Sequence, residues 1–484
     1  MSNSSLAASP LTAIGYRLTL LYIVLLVGRV PEITTVYLGT SLFQILVVTA
    51  VLMALVIITG ILVKVGSTRS GAMWIAFHLW IIFTLPFSGY RRGSVDSLTS
   101  VLIYLPAVFF LGGFLIQSVD NLRRGFWAMA WAAVIGLAWM QITGVADSED
   151  RFSSTGTFSN ANLVAIYLLT AVPFWAYIVM NDRYRWATRL FFGGVIVAAL
   201  ISALRTGSRS GFITIGLLTL LMFFSVNVAN KAKILVLGTL AVVLALAWMP
   251  ETLKSRLGTV FSGQRTDDVA AEAVGSADQR YALLVESIET TVKHPFLGVG
   301  LGVYSAVNAR EKEGIGEKAL WQVSHNMYTQ VSSEVGIPGF ILYMTAFFWT
   351  IKSSWKVRKA AKSNPGIREL GLMSNVLLCS CAVFCFNGCF TSMALDYTLY
   401  ILIGFSIATW FVYEDVMRQQ VRSSTSEAPA APVRSPRFFP AATASTVTGV
   451  VPAPSAPEPA VSNADAPWRR NPRKYPPKPG TLPR

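Results

Sequence analysis

The 484 residues are 53% hydrophobic and 13% charged, and apolar runs of roughly the ~20 residues needed to cross a bilayer recur along them. That composition excludes an ordinary soluble domain and describes a polytopic membrane protein. A net charge of +15 would suit nucleic acid, but the basic residues are dealt out between apolar runs in a membrane-orienting pattern, so no nucleic-acid partner is expected.

The runs are continuous and rich in Leu, Val and Ile, which predicts helices rather than the alternating strands of a barrel. The expected fold class is all-α, with about twelve transmembrane helices and one large periplasmic loop containing an amphipathic helix. In chain order the predicted spans are 11–29, which Arg17 interrupts, then 38–62, 72–88, 98–117, 126–144, 161–180, 187–204, 211–229 and 233–249. After a long hydrophilic stretch come 326–351, 370–393 and 397–413. No cleavable leader is expected, because residues 1–10 lack a basic region.

With the N-terminus in the cytoplasm, the inner connections carry Lys64 and Arg69, Arg123 and Arg124, Arg183 to Arg189, Lys231 and Lys233, and Lys352 to Arg368. This follows the positive-inside rule and leaves both termini cytoplasmic. Four segments result: an N-terminal bundle of about nine spans over 1–249, the periplasmic loop over 250–324, about three further spans over 325–414, and a tail over 415–484. From about residue 420 the composition turns to Pro, Ala, Ser and Thr, and 14 of the 23 prolines lie there. The tail is therefore expected to be disordered, either simply solvated or drawn to anionic headgroups or a cytoplasmic partner.

Arginines on the outer side break the charge rule and are more informative than those that obey it. Arg91 and Arg92 follow the third predicted span, and Arg205 and Arg209 lie in Arg205-Thr206-Gly207-Ser208-Arg209-Ser210-Gly211. A guanidinium forms forked hydrogen bonds to phosphate oxygens, while glycines let the backbone approach a ligand. Snorkelling at a helix end is the plainer alternative.

Within the outer loop, Asp278 to Glu289 sets Tyr281, Leu284, Val285, Ile288 and Val292 on one stripe, opposite Glu286, Glu289 and Lys293. An amphipathic helix is expected, lying on the membrane or capping the bundle. Arg280 falls in its first turn, badly placed for the helix dipole, so packing or anion binding must account for it. Pro295-Phe296-Leu297-Gly298-Val299-Gly300-Leu301-Gly302 lacks the context of a nucleotide fingerprint and reads as a turn back to the membrane.

Where the chain re-enters the membrane, Asn326, Gln330 and Glu334 recur at helical spacing beside Ser333. Polar groups near lipid require partners, water or a substrate. Gly336 to Gly339 are expected to break this helix. His325 stands at the stripe's outer edge, and an imidazole with an ordinary pKa near ~6.5 suits proton acceptance at neutral pH. His78 is expected to bond another helix, and His294 to be structural. The four cysteines, Cys379, Cys381, Cys385 and Cys389, share one apolar span and read as packing residues, so neither a metal nor a cofactor is expected.

His325-Asn326-x-Tyr328, Glu334-x-Gly336-Ile337, His294-Pro295-Phe296-Leu297-Gly298, Ser208-Arg209-Ser210-Gly211 and Gly156-Thr157-Phe158-Ser159-Asn160 together resemble the superfamily of O-antigen ligases and O-antigen or exopolysaccharide polymerases. The resemblance implies a glycosyltransferase of the bacterial inner membrane that moves a glycan from undecaprenyl pyrophosphate to an acceptor hydroxyl on the periplasmic side, without metal. It implies that Arg205 or Arg209, with Arg280, holds the pyrophosphate; Arg91, which stands outside these motifs, is a further donor-site candidate. His325 would deprotonate the acceptor, and Asn326, Gln330 and Glu334 would support the site. The implied partners are the lipid-linked glycan, a glycan or lipid A-core acceptor, membrane lipids and polysaccharide-assembly proteins. A secondary transporter or glycan flippase is the alternative, motivated by span number and the intramembrane His78.

Overall fold

The computed structural model describes residues 10–39, 49, 61–114, 118–146, 150–225, 228–248, 251, 254, 268–314, 316 and 321–426. The first half holds α1 (Pro10–Val27), α2 (Val30–Leu38), α3 (Ile61–Gly66), α4 (Arg69–Thr84), α5 (Arg91–Phe114), α6 (Val119–Thr143), α7 (Ala161–Met180), α8 (Trp186–Arg205), α9 (Arg209–Ser225) and α10 (Val228–Trp248). Then follow α11 (Asp268–Lys293), α12 (Tyr304–Gly314), α13 (Met327–Ser363), α14 (Arg368–Gly388) and α15 (Tyr397–Ser426). Between α6 and α7, β1 (Val145–Ala146) and β2 (Phe152–Ser153) form a small antiparallel pair. The described residues are thus nearly all helical.

Among the described residues eight helices are long and apolar enough to cross a membrane, or nine when the bent pair α1 and α2 is counted as one. The expected twelve are not reached by this measure. The second predicted span falls mostly outside the described residues, and α9, at 17 residues, is short for a span. The first predicted span corresponds to α1, and at its end the chain bends by 60° into α2. Gly28 and Arg29 occupy the bend, with Arg29 in the left-handed region at φ 55. The described residues form one compact unit, and α15 runs to Ser426, past residue 413 where the last span was expected to end. The rest of the tail lies outside the described residues.

Hydroxyl and amide caps start several helices where the sequence supplies them. Thr68 accepts from Gly71 N at 3.0 Å at the head of α4, and Ser118 accepts from Asn121 N at 3.1 Å at the head of α6. The centre is α7, buried nearly throughout, and its Trp175 donates to Ala130 O of α6 at 2.9 Å. At the basic end, Arg123 of α6 forks onto both oxygens of Glu369 of α14, at 2.5 and 2.6 Å. Tyr177 of α7 donates to the same carboxylate at 2.8 Å.

His78 of α4 bonds Trp74 O of its own turn at 2.8 Å and the Tyr400 hydroxyl of α15 at 3.1 Å. Both ring nitrogens are therefore used in helix packing. Cys379 and Cys381 are buried and all four cysteines are free thiols.

Candidate functional site

The site is built around the broken helix α13. Asn326 caps its start, accepting from Tyr328 N at 2.9 Å and Thr329 N at 3.1 Å. The same side chain donates to Cys389 O beyond α14, at 3.1 Å. One turn on, Gln330 Oε1 accepts from Ala394 N at 3.2 Å, and Tyr328 donates to Cys385 O at 3.0 Å. Asn326 and Gln330 therefore tie the start of α13 to the α14–α15 connection.

Helical geometry fails at Gly336, where φ is 74 and ψ is 174. Such a break leaves carbonyls and an amide without helical partners, and burial makes each costly unless it is paired. Each is paired. Ser333 O accepts from Val299 N at 2.8 Å and Glu334 O from Gly300 N at 2.9 Å. Val335 O accepts from the Trp80 indole at 2.8 Å, and Ile337 N donates to Pro295 O at 2.7 Å. The glycine-rich turn is thus a clamp on the break. Glu334, buried beside it, accepts from Gly302 N at 2.9 Å through Oε2 and also bonds the Gln330 side chain. Pro338 then falls in the first turn of the resumed helix, where a missing amide does least harm.

The amphipathic helix α11 lies against the first part of α13. Ser287 donates to Thr329 Oγ1 at 2.7 Å, and Thr291 and Ser332 hydroxyls pair at 2.9 Å. Leu283, Ser287 and Thr290 are buried on this face, whereas Tyr281, Ile288 and Val292 are exposed. Most of the apolar stripe therefore points away from the bundle, and Leu283 with the small polar side chains Ser287 and Thr290 does the packing. α11 begins at Asp268, so Arg280 sits mid-helix. The unfavourable dipole expected for a first-turn arginine does not arise.

His325 precedes the cap with φ 50, a left-handed conformation that costs a non-glycine residue about 1 kcal/mol or more. Its ring is half-buried, and burial, followed by the positive charge of Arg280, pushes its pKa below the ordinary histidine value. Neutral imidazole is the favoured form, held near a guanidinium.

Arg205 ends α8 and Arg209 begins α9. Arg205 is exposed and its guanidinium lies 5.3 Å from the centre of the Phe152 ring. Ser208 accepts from Gly211 N at 3.2 Å, folding the hairpin between the two arginines. Asn387 of α14 donates to Thr214 of α9 at 3.0 Å, and α14 leads directly into the connection that Asn326 holds. The hairpin, α14 and the start of α13 are therefore one packed assembly. Arg91 is exposed and donates to Pro86 O at 3.0 Å, so part of its fork is committed to its own turn.

Two arginines escaped the sequence reading. Arg151 donates to Thr206 O at 3.1 Å and Asn162 Oδ1 at 3.4 Å, joining the hairpin of Arg205 and Arg209 to the start of α7. Its place between Asp150 and Phe152, just before the Gly156 turn, was the available signal. Arg29 is buried at the α1–α2 bend, 5.0 Å from the Tyr397 ring centre and 5.4 Å from that of Phe158. Glu32 lies 3.5 Å from its guanidinium. A lone arginine after Gly28 inside an apolar run was its signal.

The family model for O-antigen ligase matches residues 194–344. Over this segment the chain is similar to the O-antigen ligase and polymerase superfamily. The matched stretch runs from within α8 to the resumed half of α13 and contains Arg205, Arg209, Arg280, His325, Asn326, Gln330 and Glu334. Arg91, Arg151 and Arg29 lie outside it. No curated relative matches the chain.

Proposed function

We propose that this protein is a glycosyltransferase of the bacterial inner membrane, moving a glycan from undecaprenyl pyrophosphate to an acceptor hydroxyl on the periplasmic side. The observation that carries the reading is the place of His325: half-buried in a left-handed turn immediately before the Asn326 cap of the broken helix, where burial and the charge of Arg280 favour its neutral, proton-accepting form. In the reaction the acceptor oxygen attacks the anomeric carbon, the bond from that carbon to the pyrophosphate oxygen breaks, and the electron pair leaves with the lipid pyrophosphate. His325 takes the acceptor proton, and the configuration inverts. Arg280, Arg205 and Arg209 bind the diphosphate and stabilise the charge that grows on it, with Arg91 as a further contact. Asn326, Gln330 and Glu334 hold the broken helix rather than the sugar, as their hydrogen bonds to Cys389, Ala394 and Gly302 suggest.

The test is transfer by purified protein in liposomes, supplied with undecaprenyl-pyrophosphate-linked glycan and either a second lipid-linked unit or lipid A-core. Lengthened lipid-linked chains mark a polymerase, and glycosylated lipid A-core marks a ligase. His325→Ala, Arg209→Gln and Arg280→Gln are each expected to lower transfer by a factor of roughly 10² or more. Full transfer by all three folded variants overturns the assignment.

A further inference from the structure

Far along α13 from His325, a cavity of about 310 Å³ opens between the start of α4, the later turns of α13 and the middle of α15. Its lining includes Arg69, Lys352, Lys356, Trp349, Trp410 and Glu414. Arg69 and Lys352 both lie 4.4 Å from the centre of the Trp349 ring, and Lys356 lies 5.7 Å from that of Trp410. Glu414, the carboxylate in this wall, is already engaged by Arg418 at 3.4 Å. Among the described residues, none of the three cations forms an ion pair with a carboxylate. The cavity is therefore a basic recess with aromatic walls, and the positive end of the α4 dipole adds to its potential.

Its level in the membrane follows from its neighbours. Phe348 and Trp355 are exposed on α13 within four residues of the lining Trp349, Lys352 and Lys356, and Leu62 and Val63 are exposed on α3 just before Lys64. Aromatic side chains interleaved with lysine and arginine mark the depth of lipid headgroups. Unpaired cations at that depth face phosphate on one side and acyl chain on the other.

We propose that this recess binds the phosphate of an anionic phospholipid headgroup, with Arg69, Lys352 and Lys356 as its ligands and Trp349 and Trp410 against the glycerol and upper acyl chains. The proposal does not depend on the transfer reaction. The site stands at the basic end of the bundle, and an anionic lipid there neutralises cations that α4 and α13 would otherwise hold together against their mutual repulsion.

The experiment measures binding of phosphatidylglycerol, phosphatidylcholine and inorganic phosphate to the full chain in detergent, by thermal shift and by native mass spectrometry. Phosphatidylglycerol is expected to bind and to raise the melting temperature, and Lys352→Gln/Lys356→Gln to weaken it by about tenfold or more. Lys352→Arg/Lys356→Arg should retain binding and shows whether the recess survives substitution. If the glutamine variant does not fold, Arg69→Gln carries the same comparison. Equal binding of phosphatidylcholine, equal binding by the charge-removed variants, or the full shift with inorganic phosphate alone overturns the proposal.

Discussion

Gly298 and Gly336 lie on two backbones that press together at the break in α13, each glycine against the residues just before the other. A Cβ on Gly298 would lie 2.4 Å from the Glu334 carbonyl, and a Cβ on Gly336 would lie 2.1 Å from Phe296 O. Both have positive φ, +67 and +74. The clamp brings two backbones closer than any side chain permits, which is why the turn carries glycine and why the break can be buried.

Gly336→Ala combines a backbone conformation that costs about 1–3 kcal/mol for a non-glycine residue with a collision against Phe296 O. The expected result is a protein that melts well below wild type or fails to accumulate in membranes, with transfer lost. Gly314→Ala is the contrasting control, since nothing lies within 4 Å of the added methyl. Thermal melting in detergent checks both. A wild-type melting temperature for Gly336→Ala contradicts the clamp.

How far the sequence led is clearest in the polar stripe. The spacing of Asn326, Gln330 and Glu334 and the break at Gly336 are local features, legible from the helix period and from glycine's permissiveness. Their partners are not local: Gly302 N, Cys389 O and Ala394 N lie 32, 63 and 64 residues away. No periodicity carries that information. The start of α11 was misplaced for a related reason, because Asp268 to Ala277 lacks the apolar stripe that made the second half visible. Arg29 reads from sequence as the end of a span, because Gly28 followed by a lone arginine marks a span end as readily as a bend.

The pH dependence of transfer follows from His325. Burial, and then Arg280, lower its pKa, so the neutral base persists below the ordinary ~6.5 and activity falls only as pH drops through the lowered value. For stability the sign is the same: a depressed pKa gives stability that is present above the unfolded-state value and lost as pH falls through the folded-state value. Arg280→Gln removes the smaller of the two causes, so the acid limb of kcat/KM is expected to move upward while staying below the ordinary histidine range. A limb unmoved by Arg280→Gln would separate the two residues.

Glu334 is argued to position rather than catalyse, and conservative substitution tells the two apart. Glu334→Gln keeps an oxygen acceptor for Gly302 N, so near-native melting and retained transfer are expected. Glu334→Ala leaves that buried amide unpaired, at a cost of about 1–3 kcal/mol. A catalytic carboxylate would instead lose transfer in Glu334→Gln at unchanged melting temperature. Steady-state kinetics beside thermal melting on both variants decide between these outcomes.

Arg29 provides the test of the bend between α1 and α2. It is 9% exposed, faces Glu32 at 3.5 Å, lies against Phe158 and Tyr397, and feels the charge of Asp396. Removing one member of a buried ionic group strands the others, and the usual loss is about 3–5 kcal/mol. Because Glu32 is partly exposed, Arg29→Ala is expected at the lower end of that range. Arg29→Lys retains the charge but not the flat guanidinium that spans two rings, so an intermediate loss is expected. The decisive comparison is Arg29→Ala with Arg29→Ala/Glu32→Gln. Partial recovery of melting temperature in the double variant identifies the stranded Glu32 as a source of the loss, whereas equal losses assign it to Asp396 or to packing against Phe158 and Tyr397.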